Sequence, residues 1–411
     1  MKTVPRTGCG LLALALGAFA PSVPAGERTT FDPKITLSHR YTDNVRILED
    51  NTASSDASTR LSIGLNLGHE MKNGSLEFNY TTGYIKYQDF DELDHTGHLL
   101  SFGLNTSPGR GSLSVSTWFR RSQDQGEPDS LDEADLFLAQ RTTRELIRTS
   151  VSYRRSVASG RWQWDVGVRG DRSRFEAIAD FDSGTALTAV EDRIGYSGRL
   201  GFGRTVSPRT SVGVEYRYKE FELDVSQDET VNSFRFTLKH AATRKTAVNV
   251  RLGAFDRSQD PNPTAPTVDL DGTGFSGRVS VIHGFKSYTL AFDAGHSPSS
   301  GGARQGTSTD TAVGLSLVPT LESGRVARRR WDWRLWTKYA RRDPSDRTAP
   351  SIDSIGLGTW LERTFRFPLG LRLGALIVDQ SGESAADDGS FYKTNVSLIY
   401  RPLANTRIGS N

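Results

Sequence analysis

The sequence lacks most of the features that stabilise or equip a soluble enzyme. Its 411 residues include a single cysteine, Cys9, which excludes an intramolecular disulfide and a thiolate metal cluster. After residue 25 no stretch approaches the ~20 consecutive apolar residues that a membrane-spanning helix needs. Lysine and arginine number 51 against 48 acidic residues, and this formal net charge of +3 points to no class of partner.

Motifs of catalysis and of nucleic-acid binding are also missing. The seven histidines are scattered, and only His95 and His98 have the spacing of metal ligands. No cluster of acids or cysteines accompanies that pair, so we interpret both as polar loop residues. The chain contains no nucleophile elbow, phosphate loop or zinc motif, and no basic surface interleaved with aromatics. We therefore predict that the protein is not an enzyme, needs no cofactor or metal, and binds no nucleic acid.

The first 25 residues have the pattern of an export signal. Lys2 and Arg6 form a basic start, the run Leu11–Ala20 is apolar, and Val23–Ala25 offers the small residues of a cleavage site. The apolar run is too short to cross a bilayer. We expect a signal peptide over residues 1–25 and a mature chain, exported from the cytoplasm, over residues 26–411.

The mature chain alternates apolar and polar residues with a period of two. In the segment "RTSVGVEYRYKEF" (Arg209–Phe221), even positions carry valine and tyrosine, whereas odd positions carry Ser211, Gly213, Glu215, Arg217 and Lys219. Side chains on a strand alternate between its two faces, so such a segment has one apolar and one charged face. Similar segments recur along the chain, and about eighteen strands are predicted in all.

The connections between these segments alternate in length. Short ones such as "MKNGS", "SPGRG" and "SPRT" are rich in the residues of tight hairpins, although "VPTLESGRVARRR" is a longer exception. Long ones such as "RSQDPNPTAPTVDLDG" are acidic, and the longest, "QDQGEPDSLDEADLFLAQRTTR", is a candidate plug. This alternation is typical of an outer-membrane barrel. We predict an all-β, transmembrane, antiparallel up-and-down barrel of about 18 strands (16–18) in a Gram-negative outer membrane, with short periplasmic turns and long extracellular loops.

Physical cost decides which face points inward. Apolar area in contact with water costs roughly 25 cal/mol per Å², and an arginine in the middle of a bilayer costs about 2–4 kcal/mol. The apolar faces should therefore contact lipid and the charged faces line an aqueous lumen. The predicted lumen cations are Arg120, Arg148, Arg154, Arg169, Arg199, Arg217, Lys219, Arg235, Lys239, Arg251, Arg278, Arg334, Lys338, Arg372, Lys393 and Arg401. The predicted lumen acids are fewer: Glu77, Asp165, Asp171, Glu215, Asp332 and Glu362.

This excess of lumen cations favours anionic solutes, because a low-dielectric wall focuses the field and arginine binds carboxylate or phosphate with two donors. The alternative is an ion-paired wall without selectivity. The acidic loops are either solvated tips or sites where divalent cations bridge to lipopolysaccharide phosphates. Four tryptophans near short turns should form an interfacial girdle: Trp162, Trp164, Trp331 and Trp333.

The start of the mature chain carries a family resemblance. The stretch "FDPKITLSHRYTDNVRI" (Phe31–Ile47), followed by many glycine-rich strands, resembles the outer-membrane β-barrel porins of exopolysaccharide and exosortase gene clusters. In that family an aromatic-x-Asp-Asn-Val stretch ends the first strand, which corresponds here to Tyr41, Asp43, Asn44 and Val45. The resemblance implies secretion of a polysaccharide, alongside a periplasmic polysaccharide-export protein and a chain-length co-polymerase. It implies no catalytic residue.

The final alternating segment, Tyr392–Tyr400, has the pattern that barrel-assembly machinery recognises. It departs from that pattern because "RPLANTRIGSN" follows where a terminal aromatic residue is usual, which leaves the closing point open.

Three functions are compatible with the sequence. The first is a conduit that secretes an exopolysaccharide through a basic lumen. The second is a solute-uptake porin with anion preference, and the third is a non-conducting structural or adhesion barrel. Aromatic residues that could stack on sugars are sparse among the inward positions, namely Trp118, Trp336 and Trp360.

Overall fold

The computed structural model describes most of the predicted mature chain. The described residues are 28–43, 54–123, 142–157, 160–177, 192–224, 228–259, 272–300, 307–319, 331–344, 351–365, 368–382, 389–402 and 406–408. Three features predicted from sequence lie wholly or largely outside them: the signal segment, the motif residues Asn44 and Val45, and residues 124–141 of the candidate plug, which was predicted over residues 123–144. Among the described residues no helix has the length and apolar character needed to cross a membrane.

The described chain is almost entirely β structure, with one 3-10 turn at Asp91–Leu93. The strands are β1 (Arg28–Thr42), β2 (Asp56–Met71), β3 (Gly74–Tyr87), β4 (His95–Thr106), β5 (Gly111–Ser122), β6 (Thr142–Val157), β7 (Trp162–Ala177), β8 (Arg193–Ser207), β9 (Thr210–Leu223), β10 (Glu229–Ala241), β11 (Thr246–Gln259), β12 (Gly272–Gly284), β13 (Tyr288–Ser300), β14 (Thr307–Pro319), β15 (Trp331–Pro344), β16 (Ile352–Thr364), β17 (Leu369–Gly382), β18 (Gly389–Tyr400) and β19 (Thr406–Ile408).

Eighteen of these strands close into one antiparallel barrel. Each pairs with its neighbours in sequence, and β1 also pairs with β18, from Ile35 opposite Tyr400 to Thr42 opposite Lys393. The predicted fold class and strand number are therefore confirmed. The closing strand ends at the aromatic Tyr400, and the segment after it adds β19, which pairs with Thr29–Phe31 of β1. The sequence pattern had not indicated β19.

The two faces of the wall have opposite chemistry. In β9, Val214, Tyr216 and Tyr218 are exposed on the outer face, whereas Glu215 and Arg217 face the bore. The register of strand pairing places outward residues opposite outward residues and inward opposite inward. For example, Leu37 pairs with Leu398 on the outside, and Ser38 pairs with Ser397 on the inside. The large exposed hydrophobic side chains follow the outward positions almost everywhere. The barrel therefore has an apolar exterior and a polar interior.

Short turns join the strands at one rim and longer connections join them at the other, as the sequence predicted, with the expected exception of the long connection between β14 and β15 at the short-turn rim. Gly109 and Gly160 adopt positive φ angles of 61° and 83° in two of the short turns, a conformation that costs glycine little. We call this edge the short-turn rim and the opposite edge the long-loop rim. Apart from the short β19, the strands are 12 to 16 residues long. These lengths exceed the ~9–11 residues that a strand needs to span a bilayer.

Two details of the sequence prediction are wrong. His95 and His98 are not loop residues, because both lie in β4. The His95 ring bonds the carbonyl of Leu93 at 2.9 Å, and the His98 ring bonds the Tyr80 hydroxyl at 3.2 Å. The predicted long loop "SPSSGGARQGTSTD" is also shorter than expected, because β13 extends to Ser300 and β14 begins at Thr307. Both errors have one cause: polar strand ends lack the alternation by which strands were recognised.

The exposed outer face yields a stability prediction. Leu200 lies at the middle of β8 and is 58% exposed. If lipid covers this face, Leu200→Arg should lower the free energy of unfolding in phospholipid vesicles by about 2–4 kcal/mol. Val157, at the short-turn end of β6, is the matched control, and Val157→Arg should cost about 0–1 kcal/mol. Urea titration measures both, and equal costs would contradict a lipid-facing belt.

Candidate functional site in the barrel lumen

Strand register brings the predicted lumen cations to one surface. Starting from Arg217, inward partners follow from strand to strand: Arg199 on β8, Ser233 on β10 and Phe255 on β11. Every cation of the predicted set in the strands occupies an inward position by this criterion: Arg120, Arg148, Arg154, Arg169, Arg199, Arg217, Lys219, Arg235, Lys239, Arg251, Arg278, Arg334, Lys338, Arg372 and Lys393.

The structure adds inward charges that the sequence analysis missed. The additional cations include Lys34, Arg40, Arg60, Arg144, Arg193, Arg257 and Arg342, and the additional acids include Asp56, Glu229, Asp293 and Asp310. Many of them stand near the ends of strands that extend beyond their predicted bounds. Extending the inward parity past the last alternating residue could have found them. With both sets included, inward cations still outnumber inward acids.

Ion pairs neutralise part of this charge. Arg199 Nε lies 3.1 Å from an Asp165 oxygen, and Arg217 Nη2 lies 3.0 Å from a Glu215 oxygen. Further inward pairs join Arg193 to Asp171 at 3.0 Å, Arg278 to Asp293 at 2.8 Å, Arg342 to Asp310 at 2.9 Å, and Arg401 to Glu362 at 3.7 Å. These residues form the ion pairs that the alternative of an ion-paired wall predicted, but such pairs do not extend over the whole described lumen.

One side of the wall keeps an excess of positive charge, and we call it the basic band. It runs over consecutive strands β6 to β12 and comprises Arg148, Arg169, Arg199, Arg217, Lys219, Arg235, Arg251 and Arg278. Within it Arg199 stands directly opposite Arg217, and Arg251 directly opposite Arg278. Like charges in such positions repel. Among the described residues no carboxylate lies within 4.0 Å of Lys219, Arg235 or Arg251. The basic band is therefore a region where an anion would relieve repulsion.

The opposite side of the bore contains a recess of about 490 Å³ formed by β1–β5 and β16–β18. Trp118 and Trp360 lie at its two sides. The Arg148 guanidinium stands 5.9 Å from the Trp118 ring centre, and the Arg372 guanidinium stands 4.8 Å from that of Trp360. The Trp360 Nε1 atom is buried and has no hydrogen-bond partner. The third inward tryptophan, Trp336, is buried against Leu376, Val378 and Phe391.

Accessibility changes along the barrel axis. Toward the long-loop rim the inward side chains are buried, including the hydrophobic residues Leu146, Phe221, Val231 and Phe255. Toward the short-turn rim inward residues such as Lys239 and Asp332 are exposed. The inward side chains are thus accessible near the short-turn rim and packed toward the long-loop rim, and we call this packed part of the lumen the narrow half.

A buried ion pair marks the narrow half. Arg257 Nε lies 2.8 Å from a Glu229 oxygen, and the two side chains are 5% and 0% exposed. Arg257 Nη2 also donates a hydrogen bond of 2.9 Å to the carbonyl of Ser308 on β14, three strands away around the wall. This contact shows that the Arg257 side chain extends into the bore past the two intervening strands.

The remaining predicted residues lie outside the lumen. Trp162, Trp164, Trp331 and Trp333 are outward at the short-turn ends of β7 and β15, at the positions expected of a girdle. Of the family motif, Tyr41 is exposed on the outer face, and Asp43 bonds Tyr392 through its backbone N–H at 3.2 Å and its carboxylate at 2.6 Å. Asp43 therefore fastens the seam between β1 and β18. Among the described residues no group of three or more metal-ligating side chains is found.

Comparison with known proteins finds similarity to solved structures but none to protein-family models or curated proteins. No protein-family model matches the chain, and no curated protein matches it. Among solved structures, OccK7 (OpdD) of Pseudomonas aeruginosa is similar with a TM-score of 0.49 at 9% identity, over 92% of this chain and 99% of that one. OccK2 (OpdF) of the same organism gives 0.47 at 12% identity, over 91% and 97%. Acinetobacter baumannii OccAB4 gives 0.46 at 11% identity, over 91% and 98%.

The buried pair provides a test of the narrow half of the lumen. Glu229→Gln leaves the Arg257 charge buried without its counter-charge, and should lower the free energy of unfolding by about 3–5 kcal/mol. The pair Arg278–Asp293 is the matched control, because its side chains are 53% and 36% exposed. Asp293→Asn should cost at most about 1 kcal/mol. Urea titration in vesicles measures both, and similar small losses would show that water reaches Arg257.

Proposed function

We propose that this protein is an outer-membrane channel through which small anionic solutes pass. The basic band carries the proposal, because its cations are half-buried or exposed and three of them, Lys219, Arg235 and Arg251, have no carboxylate within 4.0 Å in the described part of the chain. An anion entering the bore exchanges part of its water shell for guanidinium and ammonium donors, and it supplies the counter-charge that Lys219, Arg235 and Arg251 lack among the described residues. The positive potential of the basic band repels cations.

The membrane location is supported by the outer face of the barrel. Exposed side chains there include Leu37, Ile63, Leu200, Phe234 and Leu357, which lie on strands all around the ring. Soluble proteins rarely expose an apolar surface that encloses the molecule. A closed barrel also satisfies the backbone hydrogen bonds that hydrocarbon requires. Together with the export-signal pattern, this supports an outer-membrane location with the short-turn rim in the periplasm.

The narrow long-loop half favours small solutes over a polymer. A polysaccharide conduit needs a continuous wide bore or a track of exposed aromatic rings, yet Trp336 is buried and Trp118 and Trp360 lie apart at the two sides of one recess. No structural observation supports the secretion that the family resemblance implies, or its export partners. We therefore place the solute channel ahead of the polysaccharide conduit that the resemblance suggests. Lipopolysaccharide and the barrel-assembly machinery remain predicted partners.

Planar-bilayer recording tests the proposal. In a gradient of potassium chloride, the refolded wild-type chain should show a reversal potential that favours chloride. The double variant Arg217→Glu/Arg235→Glu should shift that potential toward cation selectivity by several-fold in the permeability ratio, because it reverses two charges of the basic band. The effect should shrink at high salt, since the Debye length falls from about 10 Å at 0.1 M to about 3 Å at 1 M.

The matched control is Arg172→Glu, which makes the same kind of charge reversal at an exposed outward position of β7. It should leave the reversal potential unchanged. Absence of any conductance in the wild type would instead favour the non-conducting structural barrel. Conductance with no effect of the double variant would show that the basic band does not lie on the ion path.

A further inference from the structure

Two arginines on the outer face stand beside tryptophans at the short-turn rim. Arg204 of β8 pairs across the strands with Trp162 of β7, and its guanidinium carbon lies 4.7 Å from the indole ring centre. Arg363 of β16 pairs in the same way with Trp331 of β15, at 4.9 Å. Each site holds a second aromatic ring: Phe202 stacks on Trp162 at 5.2 Å, and Phe365 lies 5.3 Å from the Arg363 guanidinium.

We call these two groups the aromatic seats: Trp162, Phe202 and Arg204 form the first, and Trp331, Arg363 and Phe365 form the second. Both pair an arginine with a tryptophan across neighbouring strands, and they lie on well-separated parts of the ring. Among the described residues no carboxylate lies within 4.0 Å of either guanidinium. The Arg363 Nε atom is buried and has no hydrogen-bond partner. In each seat, ring contacts therefore hold a guanidinium in place, and no described carboxylate balances its charge.

The level of the seats on the barrel limits what can supply that counter-charge. On the outer face of β8, Phe202 and then Leu200 precede Arg204 at intervals of two residues, and they are 49% and 58% exposed. The first seat therefore borders the belt of exposed apolar side chains on the outer face. Anions at the edge of a hydrocarbon layer are lipid phosphates, and arginine matches phosphate with two parallel donors. A tryptophan beneath it suits the headgroup level of a bilayer.

The described short turns of this rim all carry positive charge or none. The described short turns contain Lys72, Arg110, Arg161, Arg209, Arg244, Lys245 and Lys286, and no acidic residue. Basic residues near a surface attract anionic lipids by about 1 kcal/mol each, or about fivefold. This general attraction concentrates anionic lipid around the rim, whereas the aromatic seats fix where the headgroup sits.

We propose that the aromatic seats bind the phosphate headgroups of anionic phospholipids in the periplasmic leaflet. The inference rests on the proposed outer-membrane location and adds a lipid class to it. Indole and guanidinium hold each other by a cation–π contact, and the free edge of the guanidinium donates to the phosphate. Such contacts fix the height and tilt of the barrel at two points of its circumference.

Tryptophan quenching by brominated lipids tests the proposal on the full mature chain. The protein is refolded into phosphatidylcholine vesicles that contain either brominated phosphatidylglycerol or brominated phosphatidylcholine. The wild type should show about a fivefold preference for the anionic lipid at the quenched sites. Arg204→Gln/Arg363→Gln should bring the two lipids close to parity, and Arg204→Lys/Arg363→Lys should restore part of the preference.

The matched control is Arg110→Gln/Arg209→Gln, which removes two charges from turns of the same rim without touching a seat. It should lower the preference less than Arg204→Gln/Arg363→Gln does, because it removes the same number of charges and leaves both seats intact. An equal loss in the control would overturn the seats in favour of general charge attraction. Loss of the preference in excess inorganic phosphate would overturn the lipid assignment in favour of a free-anion site, and no preference in the wild type would overturn it outright.

The channel proposal fails separately. If neither brominated lipid quenches and no conductance appears, the chain is not embedded and both proposals fall. If conductance and selectivity are normal while the anionic preference is absent, only the lipid proposal falls. Retention of an acidic periplasmic protein at this rim, with no lipid preference, would assign the seats to a protein partner instead.

Discussion

Closure of the backbone hydrogen-bond ladder is the constraint on which the rest of this structure depends. A sheet with two free edges could not sit in hydrocarbon, where each unsatisfied N–H or carbonyl costs several kcal/mol. The pairing of β1 with β18 removes both edges. Closure also couples the register of all strands, because a slip of one residue anywhere would move charged side chains to the outer face and apolar ones to the lumen. The period of two in the strands follows from this coupling.

Closure also decides how the lumen is filled. Large inward side chains must lie along the wall or across the bore, and inward glycines make room for the first arrangement. An added Cβ at Gly358 would collide with the Trp336 ring, and one at Gly274 would collide with the Phe255 ring. These glycines let the aromatic rings lie flat against the neighbouring strand. Arg257 shows the second arrangement, since it reaches past two strands to Ser308.

The sequence alone was sufficient for the class of fold, the strand number and the face of most charged residues. Period-two alternation identifies a face directly, which is why Arg217 and Arg235 could be assigned inward from the sequence. It says nothing about height along the axis, so the buried state of Glu229 and the exposed state of Lys239 could not be foreseen. It also fades at polar strand ends, which hid Asp310 and β19. Contacts across the bore depend on closure and have no signature within one strand.

One side chain, the arginine guanidinium, occupies three environments in this barrel, and the surroundings decide what it does in each. Arg257 is buried, and its charge is balanced by Glu229, because an uncompensated ion there would cost several kcal/mol. Arg251 is exposed to water, where solvation makes a charge tolerable without a carboxylate beside it in the described part of the chain. Arg204 lies at the edge of the apolar belt, held against an indole ring. An anion binds strongly to a cation only where water is partly excluded and no carboxylate is already present. In the basic band several cations have no described carboxylate beside them, but water is only weakly excluded, which suits the proposed rapid passage of anions. In the aromatic seats the carboxylate is absent among the described residues and water is partly excluded as well, which suits the proposed lasting attachment of lipid.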